Sequence, residues 1–252
     1  MDNKMDVSIV IPVFNTASLI EDTVGRLVRY IKGKGITYEI IFGDDASRDN
    51  SAVVLERMTR EYPDVRYIVN PTNQGLGVTL RRLLAMARGE HVIYCDCDLP
   101  FGEDVIGLLL KKAAHSDIVV ASRYDIWPNT TSLLRKIVSR MYFHLCRLLF
   151  QINIKDIGSG SVLMKRDLLP ALNLRARGFD IHIEILSKAS LAGYRIKEVG
   201  HPNYINRIHS FSIWRHGWPV VARTCLLWYH LNQSEEKISR RLCLKQRNTL
   251  KI

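Results

Sequence analysis

Short β-branched runs alternate with helical stretches through the first half of the chain, and this alternation constrains the fold most strongly. The first run, Val7–Val13, is almost wholly apolar, which is typical of a central strand of a sheet. The proline near its end marks the carboxyl end of this strand. The pattern predicts an α/β fold with a mostly parallel sheet wrapped by helices. Further strands are expected over 38–43, 65–70, 91–95, 117–121 and 195–200, and helices near 18–32, 49–61, 77–88, 104–115, 133–150 and 180–192.

The first predicted helix has its own start signal. Ser18 stands where an N-cap is expected, and Glu21 follows three residues later, which together form a capping-box pattern. We therefore expect this helix to be capped by its own side chains.

The pattern changes after Arg123. Residues 133–150 project as an amphipathic helix that either packs on the sheet or lies at a membrane interface. Segment 156–165 is expected to form a short strand or turn. Residues 213–231 combine tryptophans and leucines with arginines, which favours a bilayer interface, with burial against the core or a dimer partner as the alternative. On helix 133–150 the expected apolar face holds Leu134, Ile137, Val138, Met141, Leu145, Leu148 and Leu149, and the expected polar face holds Lys136, Arg140, His144 and Arg147.

Two acidic clusters follow predicted strands. Asp96-Cys97-Asp98 comes directly after strand 91–95, and Asp44-Asp45 comes after strand 38–43. The carboxyl ends of parallel strands open on one crevice, so both clusters should line it. Paired carboxylates suit Mg²⁺ or Mn²⁺ carrying a nucleotide diphosphate. A solvated turn at a strand end is the simpler alternative for either cluster.

The charge of the chain is unevenly distributed. Residues 1–122 carry 14 Lys and Arg against 17 Asp and Glu, whereas residues 123–252 carry 22 against 8. This asymmetry indicates an anionic partner for the second half, such as phosphate, lipid head groups or nucleic acid. We set nucleic acid aside, because the aromatic residues cluster with leucines rather than forming a stacking platform.

The location is expected to be cytoplasmic. Five cysteines follow no disulfide or zinc spacing, which is typical of reduced thiols. The polar start of the chain predicts no signal peptide, and no apolar window reaches the ~18 residues of a membrane span. We divide the chain into a domain over 1–212 and a basic, amphipathic segment over 213–252 that contacts a membrane interface or an oligomer partner.

Eight motifs in order make the chain resemble a family 2 glycosyltransferase of the GT-A fold, in the polyprenol-phosphate branch typified by dolichol-phosphate mannosyltransferases. The resemblance spans 7 to about 212. The motifs are VSIVIPVFN from Val7, EIIFGDDASRD from Glu39, NQGLG from Asn73, DCDL from Asp96, ASRY from Ala121, DIGSG from Asp156, GFDIHIEIL from Gly178, and Arg207 with Ser212.

The resemblance implies roles for residues of this chain. Asp96 and Asp98 would hold Mg²⁺ or Mn²⁺, and Asp45 would accept a hydrogen bond from the base. The implied nucleotide-binding residues are Pro12, Phe14, Asn15, Asp45, Asp96 and Cys97; the implied catalytic residues are Asp98, Arg123 and Arg207; and the acceptor phosphate would meet Arg123, Arg135 and Ser139.

The implied reaction moves a sugar from UDP or GDP to a polyprenyl phosphate, undecaprenyl or dolichyl, with inversion at the cytoplasmic membrane face. If the acceptor is instead a sugar hydroxyl of a lipid-linked or cell-surface glycan, a carboxylate base is required. Asp156 and Glu184 are the candidates, although either could anchor a loop. A non-catalytic protein that binds nucleotide-sugars or anionic surfaces is the alternative of another class. A homo-oligomer or an integral-membrane partner is compatible with the sequence.

Departures from the family pattern bear on specificity or activity. Thr16 stands where a Glu that touches the nucleotide is usual, and Pro100 replaces a Gln that can bind the metal. Ser210 and Ile213 replace the Gly and Lys of the usual ending, and Ala121 replaces a Gly. A sugar nucleotidyltransferase is set aside, because the first strand is not followed by a glycine-rich loop.

Overall fold

The computed structural model describes residues 5–124, 133–201 and 217–232, together with their side chains except those of 133–136. Within these residues, seven strands form one sheet. The strands are β1 (Val7–Val13), β2 (Tyr38–Asp44), β3 (Val65–Val69), β4 (His91–Cys95), β5 (Ile118–Ser122), β6 (Ser161–Lys165) and β7 (Ile196–Gly200). The helices are α1 (Ala17–Lys32), α2 (Ser51–Glu61), α3 (Leu76–Met86), α4 (Val105–Ala113), α5 (Leu133–Phe150), α6 (Leu169–Leu172), α7 (Ile181–Leu191) and α8 (Trp218–Asn232).

The sheet order is β3-β2-β1-β4-β6-β5-β7. β1 pairs in parallel with both β2 and β4, in registers that place Val13 opposite Asp44 and Val10 opposite Tyr94. The predicted α/β fold with a mostly parallel sheet is thus confirmed. β6 is the exception in the sheet described here, because it runs antiparallel to β4 and β5. Segment 156–165, for which the sequence allowed a strand or a turn, therefore contains an inner strand of the sheet.

Two apolar clusters cover the faces of the sheet. Helices α1, α2 and α4 pack on one face, where Ile20, Leu27 and Leu109 are fully buried. Helices α3, α5, α7 and α8 contribute to the cluster on the other face, where Leu80 and Ile181 are fully buried. Burial of side chains this large contributes about 1.5–3 kcal/mol each.

The start of α1 differs from the prediction. The helix begins at Ala17, and no side chain of its own caps it. Instead the backbone N–H of Ala17 donates to Oδ2 of Asp49 at 2.9 Å, and that of Thr16 donates to Oγ of Ser51 at 3.3 Å. The Ser18 capping box is therefore wrong, because carboxylate and hydroxyl groups from the chain after β2 satisfy the first amides of α1.

Helix α5 does not divide into one apolar and one polar face as predicted. Cys146 and Phe150 point into the core, whereas Ile137, Met141 and Leu148 are exposed. These three share the outward surface with Arg140, His144 and Arg147. We call this mixed surface of the six residues the α5 outer stripe.

Helix α8 packs against α5 and α7. Its Thr224 is fully buried and lies 2.8 Å, oxygen to oxygen, from the hydroxyl of Tyr142 on α5. Trp218, Leu226 and Tyr229 are exposed. Among the helices of the described ranges, none is long and apolar enough to cross a bilayer. The division at residue 213 stays a prediction.

Candidate active site

The carboxyl ends of β1, β2 and β4 meet at one edge of the sheet. Pro12 lies at the end of β1, Asp45 directly follows β2, and Asp96 and Asp98 directly follow β4. Because β1 lies between the two other strands and parallel to both, the acidic clusters flank a common crevice, as topological switch points in α/β sheets do.

The loops after β1 and β2 are tied to each other. Asn15, in the left-handed region at φ 54°, donates its backbone N–H to Oγ of Ser47 at 2.8 Å. Its side-chain oxygen accepts the backbone N–H of Arg48 at 2.8 Å. Phe14 beside it is 47% exposed. A flat aromatic side chain is thus held open at the rim of the crevice, where a nucleoside could pack against it.

The carboxylate of Asp45 is buried and organises the next loop. Its Oδ1 accepts the side-chain amide of Asn70 at 2.7 Å and the backbone N–H of Gln74 at 2.8 Å. Its Oδ2 accepts the backbone N–H of Gly75 at 2.8 Å. Asp45 is therefore an anchor for the residues that lead into α3. Oδ2 accepts this one hydrogen bond among the described residues, which leaves acceptor capacity for a nucleobase donor.

Two glycines of the predicted NQGLG element allow a close backbone contact. A Cβ on Gly75, at φ 92°, would lie 2.4 Å from the carbonyl oxygen of Arg177, and one on Gly77 would lie 2.5 Å from that of Ala176. The backbone N–H of Gly77 donates to the Arg177 carbonyl at 3.0 Å. The loop before α7 is thereby held against the start of α3.

Asp96 and Asp98 are both half-buried and lie at the carboxyl end of β4. The hydroxyl of Tyr94 donates to Oδ1 of Asp96, and the backbone N–H of Asp96 donates to the Gly160 carbonyl at 2.9 Å. A Cβ on Gly160 would lie 2.4 Å from Oδ2 of Asp96. The absence of a side chain there leaves a cradle for this oxygen. With Asp96 oriented in this way, the two carboxylates offer oxygen ligands that fit a hard divalent cation whose remaining ligands come from phosphate.

Cys97 faces the core instead of the crevice. Its side chain is buried within the cluster on the α1 face, and its carbonyl accepts the hydroxyl of Thr23 at 2.5 Å. Burial raises the pKa of the Cys97 thiol to about 12. The position of this side chain gives no support to the nucleotide contact expected for it, and it fixes the turn that carries the two aspartates.

Arg123 and Asp156 form a buried ion pair on the β5 side of the crevice. The guanidinium donates to both carboxylate oxygens, with Nη2 to Oδ1 at 2.7 Å and Nε to Oδ2 at 2.9 Å. Their side chains are 10% and 1% exposed. Nη2 also donates to the Gly158 carbonyl at 2.9 Å. Segment 156–160 therefore contacts both Arg123 and, through Gly160, Asp96.

Glu198 on β7 supports this segment, and the sequence reasoning missed it. Its carboxylate accepts the backbone N–H groups of Lys155 at 3.0 Å and Asp156 at 2.8 Å. Burial raises the pKa of Glu198, although these hydrogen bonds oppose the shift. Tyr94 was missed as well. Its spacing of two from Asp96 places both on one face of an extended chain, and this signal was available in the sequence.

His182 lies at the centre of these groups. Its ring packs against that of Tyr94, with centroids 5.3 Å apart. Burial lowers the pKa of His182, and the charges of Asp96 and Asp156 oppose the shift. Burial, followed by the Asp96 charge, raises the pKa of Tyr94 well above its ordinary value. The tyrosine hydroxyl therefore stays protonated and remains a donor to Asp96 near neutral pH.

The other predicted residues are placed as follows. Glu184 is buried, accepts the backbone N–H groups of Arg175 and Ala176, and pairs with Lys188 at 2.8 Å. It thus anchors the loop before α7. Ser139 accepts a hydrogen bond from the hydroxyl of Tyr124 at 2.6 Å. The side chain of Arg135, and Arg207, Ser210, Ser212 and Ile213, lie outside the described residues.

Known proteins share this architecture. The sequence profile of the family described as glycosyl transferase family 2 matches residues 8–172. A dolichol-phosphate mannosyltransferase of Pyrococcus furiosus is 29% identical over 73% of this chain and 53% of its own length. A dolichyl-phosphate beta-glucosyltransferase of Trichomonas vaginalis is 26% identical over 77% of this chain and 64% of its own length. The chain thus spans about half to two thirds of the length of these two curated relatives.

Solved structures agree with the fold. A mannosyltransferase from Pyrobaculum calidifontis, in complex with GDP-Man and Mn²⁺, superposes with a TM-score of 0.62 over 93% of this chain and 66% of its own, at 18% identity. Glucosyl-3-phosphoglycerate synthase from Mycobacterium tuberculosis, with Mn²⁺, UDP and product, gives 0.67 over 91% and 82%, at 19% identity. At this identity the likeness establishes the fold alone.

Proposed function

Because the chain belongs to glycosyltransferase family 2, we propose that it transfers a sugar from UDP or GDP to a polyprenyl phosphate by an inverting, metal-dependent reaction at the cytoplasmic membrane face. The observation that carries this proposal is the pair Asp96 and Asp98, half-buried at the carboxyl end of β4, with Asp45 after β2 on the other side of β1. Dolichol-phosphate sugar transferases among the curated relatives support the acceptor.

Asp96 and Asp98 would hold the divalent cation. When bound, Mg²⁺ or Mn²⁺ supplies positive charge that stabilises the departing nucleotide diphosphate. The chain prepares this site by donating the Tyr94 hydroxyl to one oxygen of Asp96 and by leaving room at Gly160 for the other. The Mn²⁺ in the Pyrobaculum calidifontis complex supports a metal of this class.

The contacts of the two candidate bases support a phosphate acceptor over a hydroxyl acceptor. Both carboxylate oxygens of Asp156 accept hydrogen bonds from Arg123. The carboxylate of Glu184 pairs with Lys188 and accepts two backbone N–H groups. Both carboxylates are thus engaged in contacts that hold the fold, and neither is left to serve an acceptor hydroxyl. A phosphate acceptor needs no base, because it is already anionic near neutral pH.

The reaction is a single displacement. A phosphate oxygen of the acceptor attacks the anomeric carbon of the sugar and forms the new carbon–oxygen bond. The bond from that carbon to the nucleotide diphosphate breaks, and its electron pair leaves with the diphosphate. No proton has to move, so this chain contributes positioning and charge. Attack from the side opposite the leaving group inverts the anomeric centre.

Arg123 would meet the phosphate groups, in a position that Asp156 and the Gly158 carbonyl hold fixed. Phe14 would cover the nucleoside, with Asp45 accepting from the base. Ser139, joined to Tyr124 beside Arg123, would face the acceptor phosphate. Arg135 and Arg207 complete the proposed set of phosphate ligands.

The α5 outer stripe supports attachment to a membrane surface. Ile137, Met141 and Leu148 are exposed beside Arg140, His144 and Arg147. Apolar side chains that enter the head-group region next to cations that meet anionic lipids are typical of interfacial helices. The exposed Trp218 and Tyr229 of α8 add residues that favour this interface.

A donor panel tests the function. UDP-, GDP- and dTDP-sugars are each incubated with undecaprenyl phosphate and Mn²⁺, and glycosylated lipid is scored by mass. We expect product from one nucleotide class, and loss of turnover in Asp98→Ala with an unchanged circular dichroism spectrum. Asp167→Ala is the matched control, because Asp167 is an exposed carboxylate after β6, at the opposite edge of the sheet. Full activity of Asp98→Ala would refute the metal assignment, and product with glycan hydroxyls alone would refute the acceptor.

A further inference from the structure

An open pocket of about 310 Å³ lies between α8 and the loop that leads into α7. Its walls include Arg175 and Arg177 from the loop, and Arg223 and His230 from α8. This set shares no residue with the crevice aspartates, with Arg123 or with the predicted acceptor positions. The pocket is therefore a second concave site, outside the proposed catalytic centre.

The pocket has an excess of positive charge. Arg223 pairs with Asp180 at 2.9 Å, and Glu184 pairs with Lys188 at 2.8 Å, so both carboxylates in the pocket wall are already neutralised. Arg175 and Arg177 are exposed, and neither guanidinium has an ion pair or hydrogen bond among the described residues. Two arginines in one pocket wall, with no guanidinium partner among the described residues, favour a ligand with a multivalent anionic group, which the fork of Arg binds well.

Hydrogen bonds hold the backbone of the loop that carries these arginines. Glu184 accepts the backbone N–H of Arg175 at 2.9 Å and that of Ala176 at 2.7 Å. The carbonyl of Arg177 accepts the backbone N–H of Gly77 at 3.0 Å. The backbone is thus fixed from both sides while the two side chains stay unpaired, which is the arrangement of a preformed binding site.

The remaining wall is apolar and continues onto an exposed surface. Leu226 and Leu227 of α8 line the pocket, and Leu226 is exposed beyond it. Trp228 and Tyr229, the next residues of α8, are exposed as well. A ligand of this pocket is therefore expected to combine a phosphate with an apolar part directed along α8.

We propose that this pocket binds the phosphate of an anionic membrane lipid, with the lipid's acyl part directed along Leu226 and Leu227. The juxtaposition of two unpaired arginines with an apolar helix edge carries the inference. It rests on the membrane association proposed above and adds a specific head-group site to it. A soluble phosphomonoester shares the head-group chemistry but lacks the apolar part, so the two sources can be separated.

The test measures vesicle binding of the full chain. Sedimentation with phosphatidylcholine vesicles, with and without phosphatidylglycerol, is compared for the wild type and for Arg175→Ala/Arg177→Ala. Since each cation near an anionic surface contributes a several-fold gain in binding, we expect the double variant to bind phosphatidylglycerol vesicles roughly tenfold or more weakly. The double Arg-to-Lys variant at these positions keeps both charges but loses the guanidinium forks, so it should bind more weakly than the wild type and more tightly than the double alanine variant.

The matched control is Lys111→Ala/Lys112→Ala. These two lysines end α4 on the opposite face of the sheet, so the variant loses the same charge without touching the pocket. The proposal would be overturned if Arg175→Ala/Arg177→Ala bound vesicles as well as the wild type. It would also be overturned if Lys111→Ala/Lys112→Ala lost as much binding as Arg175→Ala/Arg177→Ala. A third outcome would overturn the lipid as the ligand. In it, glycerol 3-phosphate saturates the wild type but not Arg175→Ala/Arg177→Ala, while both proteins bind vesicles equally.

Vesicle binding also separates this inference from the proposed function. It is measured without donor or acceptor, so a loss of binding in the arginine variant supports the pocket even if no sugar is transferred. Conversely, the wild type and Arg175→Ala/Arg177→Ala could bind vesicles equally while sugar is transferred to undecaprenyl phosphate. That result would support the proposed function and contradict the lipid site in the pocket.

Discussion

The guanidinium of Arg123 is bound by both carboxylate oxygens of Asp156, at 2.7 and 2.9 Å, across a gap of 33 residues in the chain. The pair is nearly inaccessible to solvent, with 10% and 1% of the two side chains exposed. Asp156 also accepts the backbone N–H of Arg123 at 3.0 Å. This one contact sets the direction of the cation and the start of segment 156–160.

Removing one partner of this pair should be far more harmful than removing both. Asp156→Ala leaves a buried, unpaired guanidinium and is expected to lower the free energy of unfolding by about 3–5 kcal/mol. Arg123→Met/Asp156→Leu removes both charges at similar volume and should recover most of that loss while remaining inactive. Urea denaturation of the single and double variants measures the difference. Equal stability of the two would show that the pair is not energetically coupled.

Gly160→Ala should impair turnover without unfolding the protein. The new Cβ would lie 2.4 Å from Oδ2 of Asp96 and 2.8 Å from Pro100, so the carboxylate must move. Displacing a catalytic ligand by about 1 Å can cost roughly 100-fold in rate, and we expect a loss of this order. Gly158→Ala is the control two residues away, because nothing lies within 4 Å of a Cβ there. Steady-state rates that fall equally in both variants would contradict the cradle.

Tyr94→Phe should weaken the proposed metal binding while leaving the proposed ligands Asp96 and Asp98 in place. The change removes the hydroxyl that orients Asp96. Loss of such a supporting hydrogen bond typically costs 10- to 100-fold in metal affinity, and we expect about tenfold here. The Mn²⁺ concentration for half-maximal activity measures the effect. Tyr142→Phe, which loses a hydrogen bond to Thr224 between α5 and α8, should leave that concentration unchanged.

Glu39 should make the fold sensitive to acid. Burial raises the pKa of this carboxyl, but hydrogen bonds from Ser8, Arg88 and Arg66 outweigh it, so the pKa is lowered from its ordinary value of 4.5. A lowered folded pKa means stability that is present above 4.5 and is lost as pH falls through the folded value.

Glu39→Gln is therefore expected to be less stable than the wild type at pH 7, and the difference should shrink as the pH falls below 4.5 and through the folded pKa of Glu39. Urea denaturation at a series of pH values gives the comparison. A constant difference between the two proteins across this range would contradict the pKa direction.

The elements that form the crevice could be predicted from the sequence because their signals are local. Apolar runs ended by Asp44-Asp45 and Asp96-Cys97-Asp98 marked both strand ends, and the parallel sheet brought them to one edge. The start of α1 could not be predicted in this way. Its cap comes from Asp49, more than thirty residues away, and no pattern near Ser18 carries that information.

The roles of Asp156 and Glu184 also depended on distant contacts. Both carboxylates read as possible bases in the sequence, yet each is engaged by cations and backbone amides that only the folded chain brings near. Helix α5 shows the same limit. Its periodicity predicted one apolar face, but Cys146 and Phe150 supply the buried contact, and the exposed Met141 and Leu148 face outward beside cations.

Because β6 runs against its neighbours, the chain enters that strand at the crevice edge, through segment 156–160. The connection between β5 and β6 therefore leaves and re-enters the sheet at neighbouring points. The ion pair between Arg123 and Asp156 joins these two points. We therefore expect substitutions between residues 123 and 156 to alter the proposed acceptor site, while the ends of β1, β2 and β4 and the nucleotide binding proposed for them stay intact.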